Sequence, residues 1–132
     1  MQLRKSKKGF TLVEIMIVVA IIALLAAIAI PNLLRAKISA NDALAKSTLR
    51  TLSTASETFA TANNGNYPGN VTSLTGATPP YVNTNYCSQT ISGFLYSCTF
   101  GTGSYTFSAA PTAVGTSGTT TYTITTGGIL TP

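Results

Sequence analysis

A chain of 132 residues has room for one domain, and with its long apolar run set aside about a hundred residues remain for a core of modest size. Its net charge of +5 is a flank and not a surface: Arg4, Lys5, Lys7 and Lys8 precede residue 9, while beyond it Arg35, Lys37, Lys46 and Arg50 face Glu14, Asp42 and Glu57, leaving +1. With no histidine, no acid after Glu57 and only two cysteines, the chain offers no general base, nucleophile constellation or metal cluster, so no enzyme, cofactor or metal site is expected.

The first element is the run at residues 10–30 in "KKGFTLVEIMIVVAIIALLAAIAIP", 21 residues in which only Thr11 and Glu14 are polar. As a helix it spans about 31 Å, the thickness of a bilayer's hydrocarbon core. The basic residues before it place residues 1–9 in the cytoplasm and the remainder outside. A carboxylate inside such a segment costs up to about 3 kcal/mol on insertion scales, less near its end where Glu14 lies. Glu14 has three possible situations: solvated at the membrane surface, turned to its own helix start, or paired with a cation of another copy. Pro31 denies the carbonyl of Ala27 its helical partner. Because Leu33, Leu34 and Ile38 resume a helical pattern at once, a kink or an unwound stretch near residues 24–32 is expected in place of a stop.

Ala45, Leu49, Leu52, Ser56 and Phe59 then recur at steps of 4, 3, 4 and 3, one helix face, with Ile38 a heptad ahead and Leu44 widening it. Asp42 and Lys46 stand as an i,i+4 pair. Asn63, Asn64 and Gly65 stop the helix, so one helix over about residues 11–62 is predicted. Residues 63–92 form a loop rich in Gly, Pro and Asn, with Val71 and Leu74 as anchors onto the helix. Asn70, Val71 and Thr72 match an acceptor sequon, a frequent coincidence.

Strand alternation begins at residue 93. Phe94, Tyr96, Cys98 and Phe100 share a face; a three-residue link at 101–103 with a left-handed glycine leads to Tyr105 and Phe107; Tyr122 and Ile124 belong to a run at 119–126; Ile129 and Leu130 close the chain. Three or four antiparallel strands, with one apolar face on the helix, are predicted. Without interleaved basic residues the tyrosines are core or rim and not a nucleic-acid surface, so no direct nucleic-acid binding is expected. Cys87 and Cys98, in an exported part, suit a disulfide closing a loop of about a dozen residues, whereas their spacing fits no metal or thioredoxin motif.

The small residue precedes the apolar stretch here, the reverse of an ordinary secretory signal. The junction of Lys8, Gly9, Phe10, Thr11, Leu12, Val13 and Glu14, followed by the apolar helix and Pro31, resembles the class III leader of type IV pilins and of type II secretion pseudopilins. "GNYP" at residues 65–68 and "YTFSAAP" with "TYTITTGGI" at 105–111 and 121–129 are similar to later parts of such proteins, at the level of architecture. The resemblance implies an α+β, pilin-like fold: a long kinked N-terminal helix packed on a small C-terminal antiparallel sheet. It implies a cytoplasmic leader at 1–9, a membrane and filament-core half at 10–31, and an exported head at 32–132 with helix to about 62, loop to about 92 and sheet to about 130. It also implies a membrane prepilin peptidase that cuts after Gly9 and methylates Phe10, and polymerisation by a platform driven by a cytoplasmic ATPase. The subunit then leaves membrane lipid for other copies of itself, with Phe10, Glu14 and Pro31 serving assembly and Glu14 meeting the Phe10 amine of a neighbour. Major pseudopilins carry a C-terminal calcium site of acidic residues, and this chain has no acid there, which favours a type IV major pilin. A solitary membrane-anchored binding domain is the reading of another class.

Overall fold

The computed structural model describes residues 8–132; the basic residues Arg4, Lys5 and Lys7 lie outside the described residues. The described chain divides into two compact units, one ending at Arg35 and one of Ala36–Pro132.

Helix α1 runs over Leu12–Ala62, within a residue of the predicted span, and its first part exposes apolar side chains all round, from Leu12 at 75% to Leu33 at 68%. It is long and apolar enough to cross a membrane. Helical structure continues through Pro31, so the unwinding considered for residues 24–32 does not occur. The proline removes one backbone bond, at Ala27, and the helical turns on both sides keep theirs. At its other end α1 stops as predicted: Asn64 takes a left-handed φ of 55° and the Gly65 N–H bonds back to the Ala60 carbonyl at 2.8 Å, a Schellman-type cap.

Within the unit of Ala36–Pro132, the strands β1 (Thr90–Ile91), β2 (Phe94–Gly101), β3 (Ser104–Pro111), β4 (Tyr122–Thr125) and β5 (Ile129–Thr131) form an antiparallel meander in chain order. There are five strands where three or four were expected, because the two-residue β1 is too short to show a period. The β2–β3 link is tighter than expected: Gly101 pairs with Ser104, leaving Thr102 and Gly103, the latter at φ 75°. A five-residue helix α2, Val71–Thr75, stands in the segment that sequence left as loop; Asn70 caps it by accepting the Ser73 N–H at 2.9 Å.

The period-2 alternation of the strands puts Phe94, Tyr96, Tyr105, Phe107, Tyr122 and Ile124 on the face that meets Ala45, Leu49, Leu52 and Ser56 of α1. Leu74 of α2 is fully buried and is the anchor, with Val71 only half-buried. Phe59 and Ile38 lie at the margins. Leu44 does not widen the stripe and is exposed; Thr48, Ser53, Ala55 and Ala60 do so. Aromatic contacts run through the sheet side, Tyr105 stacking on Phe107 at 4.9 Å and Phe107 meeting Phe100 edge-on at 5.5 Å.

Asp42 does not pair with Lys46. It is buried, its two oxygens accepting the Thr119 N–H at 3.0 Å and the Thr119 hydroxyl at 2.8 Å, while Asn41 donates to the Ser117 carbonyl at 2.8 Å. Lys46 lies instead over the Tyr122 ring, 4.7 Å from its centre. Holding residues 117–119 against α1 removes Thr119 from the predicted third strand run and delays β4 to Tyr122. Gly118 sits in this junction, and a Cβ there would overlap the Phe94 ring and come within 2.9 Å of Asp42 Oδ1. Gly118→Ala is expected to cost about 1–3 kcal/mol by overpacking. Thermal unfolding of the detergent-solubilised protein should fall by several degrees, and an unchanged midpoint would mean that the junction yields freely.

Candidate functional site: the amino-terminal junction

Residues 8–11, directly before α1, are exposed and outside regular structure. Lys8, Gly9, Phe10 and Thr11 carry no helical or strand structure, Phe10 is 81% exposed, and nothing approaches within 4 Å of where a Cβ on Gly9 would stand.

Glu14 is turned to its own helix start. Thr11 is the N-cap: its hydroxyl accepts the Glu14 N–H at 3.2 Å, and the Glu14 carboxylate accepts the Thr11 N–H at 3.4 Å. This reciprocal pair is a capping box, and it satisfies two donors that the first helical turn would leave orphaned. The carboxylate is thereby fixed beside the residue that follows Phe10, where the helix dipole also favours negative charge. Of the situations open to Glu14, this one is occupied in the single chain. Sequence reasoning treated Thr11 only as a polar interruption; the T-x-x-E spacing in "TLVE" was the signal for it.

Pro31 lies inside α1, two-thirds exposed side chains flanking it at Ile30 and Leu33. Cys87 and Cys98 form a disulfide, with Cα atoms 5.4 Å apart, tying the segment before β1 to β2. The loop between them spans 11 positions, so reduction is expected to destabilise the sheet unit by roughly 3 kcal/mol in the chain-entropy picture. A lower unfolding temperature with reductant checks this; equal midpoints would assign the bond no stabilising role. Among the described residues, no three His, Cys, Asp or Glu side chains gather at a metal-binding distance.

The remaining carboxylate, Glu57, organises the sheet end of the molecule and was not singled out in the sequence. Tyr67 and Tyr105 donate their hydroxyls to it at 2.8 and 2.7 Å, and the Gly127 N–H donates at 2.8 Å. Ser53 lies 2.7 Å from the Tyr105 oxygen, whose own proton is given to Glu57. Burial alone would raise the Glu57 pKa, but the donors Tyr105, Gly127 and Tyr67 outweigh it and hold the carboxyl below its ordinary value. Burial, reinforced by the neighbouring Glu57, pushes the Tyr105 hydroxyl up to about 12 despite Ser53.

An exposed glycine–aromatic junction, a capped apolar helix that can cross a membrane, and a helix half packed on a meander sheet together define a membrane-anchored α+β protein. Residues 4–30 match the family described as the prokaryotic N-terminal methylation motif. Over 111 residues the chain is 35% identical to the type IV wide pilus major component PilA4 of Thermus thermophilus, covering 81% of this chain and 84% of that protein. Over 52 residues it is 52% identical to the type IV major pilin protein PilA of Myxococcus xanthus, covering 39% of this chain and 24% of that protein, so the match spans about a quarter of that relative's length. No solved structure is a significant match. The chain belongs to the type IV pilin family.

Proposed function

We propose that this protein is the structural subunit of an extracellular type IV pilus. It is made as a prepilin with residues 1–9 cytoplasmic, and it is cut after Gly9 by a membrane prepilin peptidase that also methylates the new amine of Phe10. A platform driven by a cytoplasmic ATPase then moves it from lipid into a filament. The observation that carries this reading is the exposed, non-helical Gly9–Phe10 junction directly ahead of a helix whose large apolar side chains over residues 12–30 stay exposed among the described residues. Membrane lipid covers them first and other copies afterwards, the second by heterologous contacts that continue without closing. One relative above is named a type IV major pilin and the other a type IV wide pilus major component, which leaves the pseudopilin reading without support of its own.

The test is amino-terminal sequencing and mass measurement of the membrane and filament fractions, together with imaging of the filaments. A mature chain starting at methylated Phe10 in filaments is expected. Met1 retained in every fraction, with no filament, would instead favour the solitary anchored domain.

A further inference from the structure

A cavity of about 290 Å³ opens where residues 112–118 and the β1–β2 turn meet α1, and its lining is Lys37, Asn41, Ser92, Gly93, Thr116 and Ser117. Its walls are fixed by bonds that do not involve the lysine. Asn41 donates to the Ser117 carbonyl at 2.8 Å, Ser117 Oγ lies 3.0 Å from the Thr112 hydroxyl, and the Thr112 N–H donates to the Gly93 carbonyl at 2.9 Å. Gly93, at φ 79°, packs so closely that a Cβ there would stand 2.7 Å from the Ser117 Cβ. No acid lines the cavity. The three acidic side chains of the protein are engaged elsewhere, Glu14 at Thr11, Asp42 at Thr119 and Glu57 at Tyr67 and Tyr105. One positive charge with hydroxyl donors around it is a setting for an anion.

Position along the chain indicates which anion. Lys37 comes three positions past Leu34, the last large apolar residue of the exposed stretch that begins at Leu12. Three helical residues advance about 4.5 Å, and the headgroup layer of a bilayer is about 5–7 Å deep on each side. With that apolar stretch in lipid, Lys37 stands at the level of the phosphates. The loop that walls the cavity also carries Val114, 74% exposed and the one large apolar side chain of residues 112–118. A free phosphate ion has no use for it, whereas a lipid presents glycerol and acyl methylenes beside its phosphate. We propose that this cavity seats the headgroup phosphate of an anionic phospholipid, with Lys37 as counter-charge and the Ser92 and Thr116 hydroxyls as donors. The proposal rests on the membrane-anchored stage of the reading above and names the lipid chemistry held there before assembly.

Native mass spectrometry tests the seat, using the full chain solubilised from membranes in detergent and exchanged against an equal molar excess of phosphatidylglycerol or phosphatidylcholine. Preferential retention of phosphatidylglycerol is expected. Lys37→Gln should lower it about fivefold, the effect of one lysine at an anionic lipid surface. Because Lys37 is exposed, the variant should keep the thermal unfolding of the unaltered protein. Arg35→Gln removes an equal charge two positions away, at a residue that does not line the cavity, and should change retention less than about twofold. Equal loss from the two variants, no loss from either, or equal retention of the two lipids overturns the proposal. Displacement of the lipid by millimolar inorganic phosphate would assign the cavity to the free ion and overturns it as well. Recovery of the chain from the soluble fraction alone is a different result, one that removes the membrane stage and with it the proposed function.

Discussion

Glu14→Gln is expected to abolish filaments while leaving membrane insertion and cleavage after Gly9 intact. In the single chain the carboxylate serves as the N3 member of a capping box with Thr11. Glutamine fills that position nearly as well, so the helix start survives the change. In the proposed filament, what glutamine would not supply is a negative charge for the Phe10 amine of a neighbouring subunit. An α-amine freed there by the proposed cleavage would be largely protonated near neutral pH, and methylation would keep its charge. Losing one partner of a buried ion pair costs about 3–5 kcal/mol, equivalent to a hundredfold or more in association. Such a pair acts as a register device: it is satisfied only when neighbours are staggered so that one copy's carboxylate meets another's amine. The measurement is filament yield by shearing and imaging, beside mature-chain mass in the membrane. Abundant filaments from Glu14→Gln, with none from Glu14→Ala, would reduce Glu14 to a helix cap.

The second large effect is expected at Glu57. Removing its carboxylate strands the Tyr67 and Tyr105 hydroxyls and the Gly127 N–H, which join the loop after α1, the start of β3 and the β4–β5 turn to the helix. Hydrogen bonds to charged groups are worth about 1.5–3 kcal/mol each, and because Glu57 is only half-buried, water replaces part of them; Glu57→Ala should cost about 2–4 kcal/mol. The pH dependence has a definite sign. Since the folded pKa lies below the ordinary value of 4.5, the contribution is complete above that value and is lost as pH falls through the lower folded one. Thermal unfolding of the unaltered protein should therefore weaken through this acid window, and Glu57→Gln should flatten that part of the profile. A Glu57→Gln variant with the same acid dependence as the unaltered protein would place the titration elsewhere.

The long helix, its stop at Asn63, Asn64 and Gly65, and the core positions of the strands were legible in the sequence because each rests on local chemistry. Apolar recurrence fixes a helix face or a strand face, and asparagine and glycine tolerate the left-handed backbone that ends a helix. The Cys87–Cys98 bond was legible from compartment and spacing for a similar reason. The amino-terminal motif was readable in its residues, since glycine, aromatic and acid stand at fixed offsets within one stretch that matches the family.

The carboxylates were not legible in the same way. Asp42 and Lys46 have the spacing of an ion pair, yet Asp42 is taken by Thr119, 77 positions away, and Glu57 is claimed by residues 10, 48 and 70 positions away. Such choices depend on which backbone and hydroxyl donors the sheet brings to the helix, and no local pattern records that. The two-residue β1 and the five-residue α2 were hidden because neither is long enough to display a period. Sequence by itself thus determined the long helix, the longer strands and most of their apolar faces, all matters settled by neighbours within a few residues. Tertiary structure alone decided where each acid spends its charge, because a buried carboxylate takes its donors from whatever the fold places within hydrogen-bonding reach.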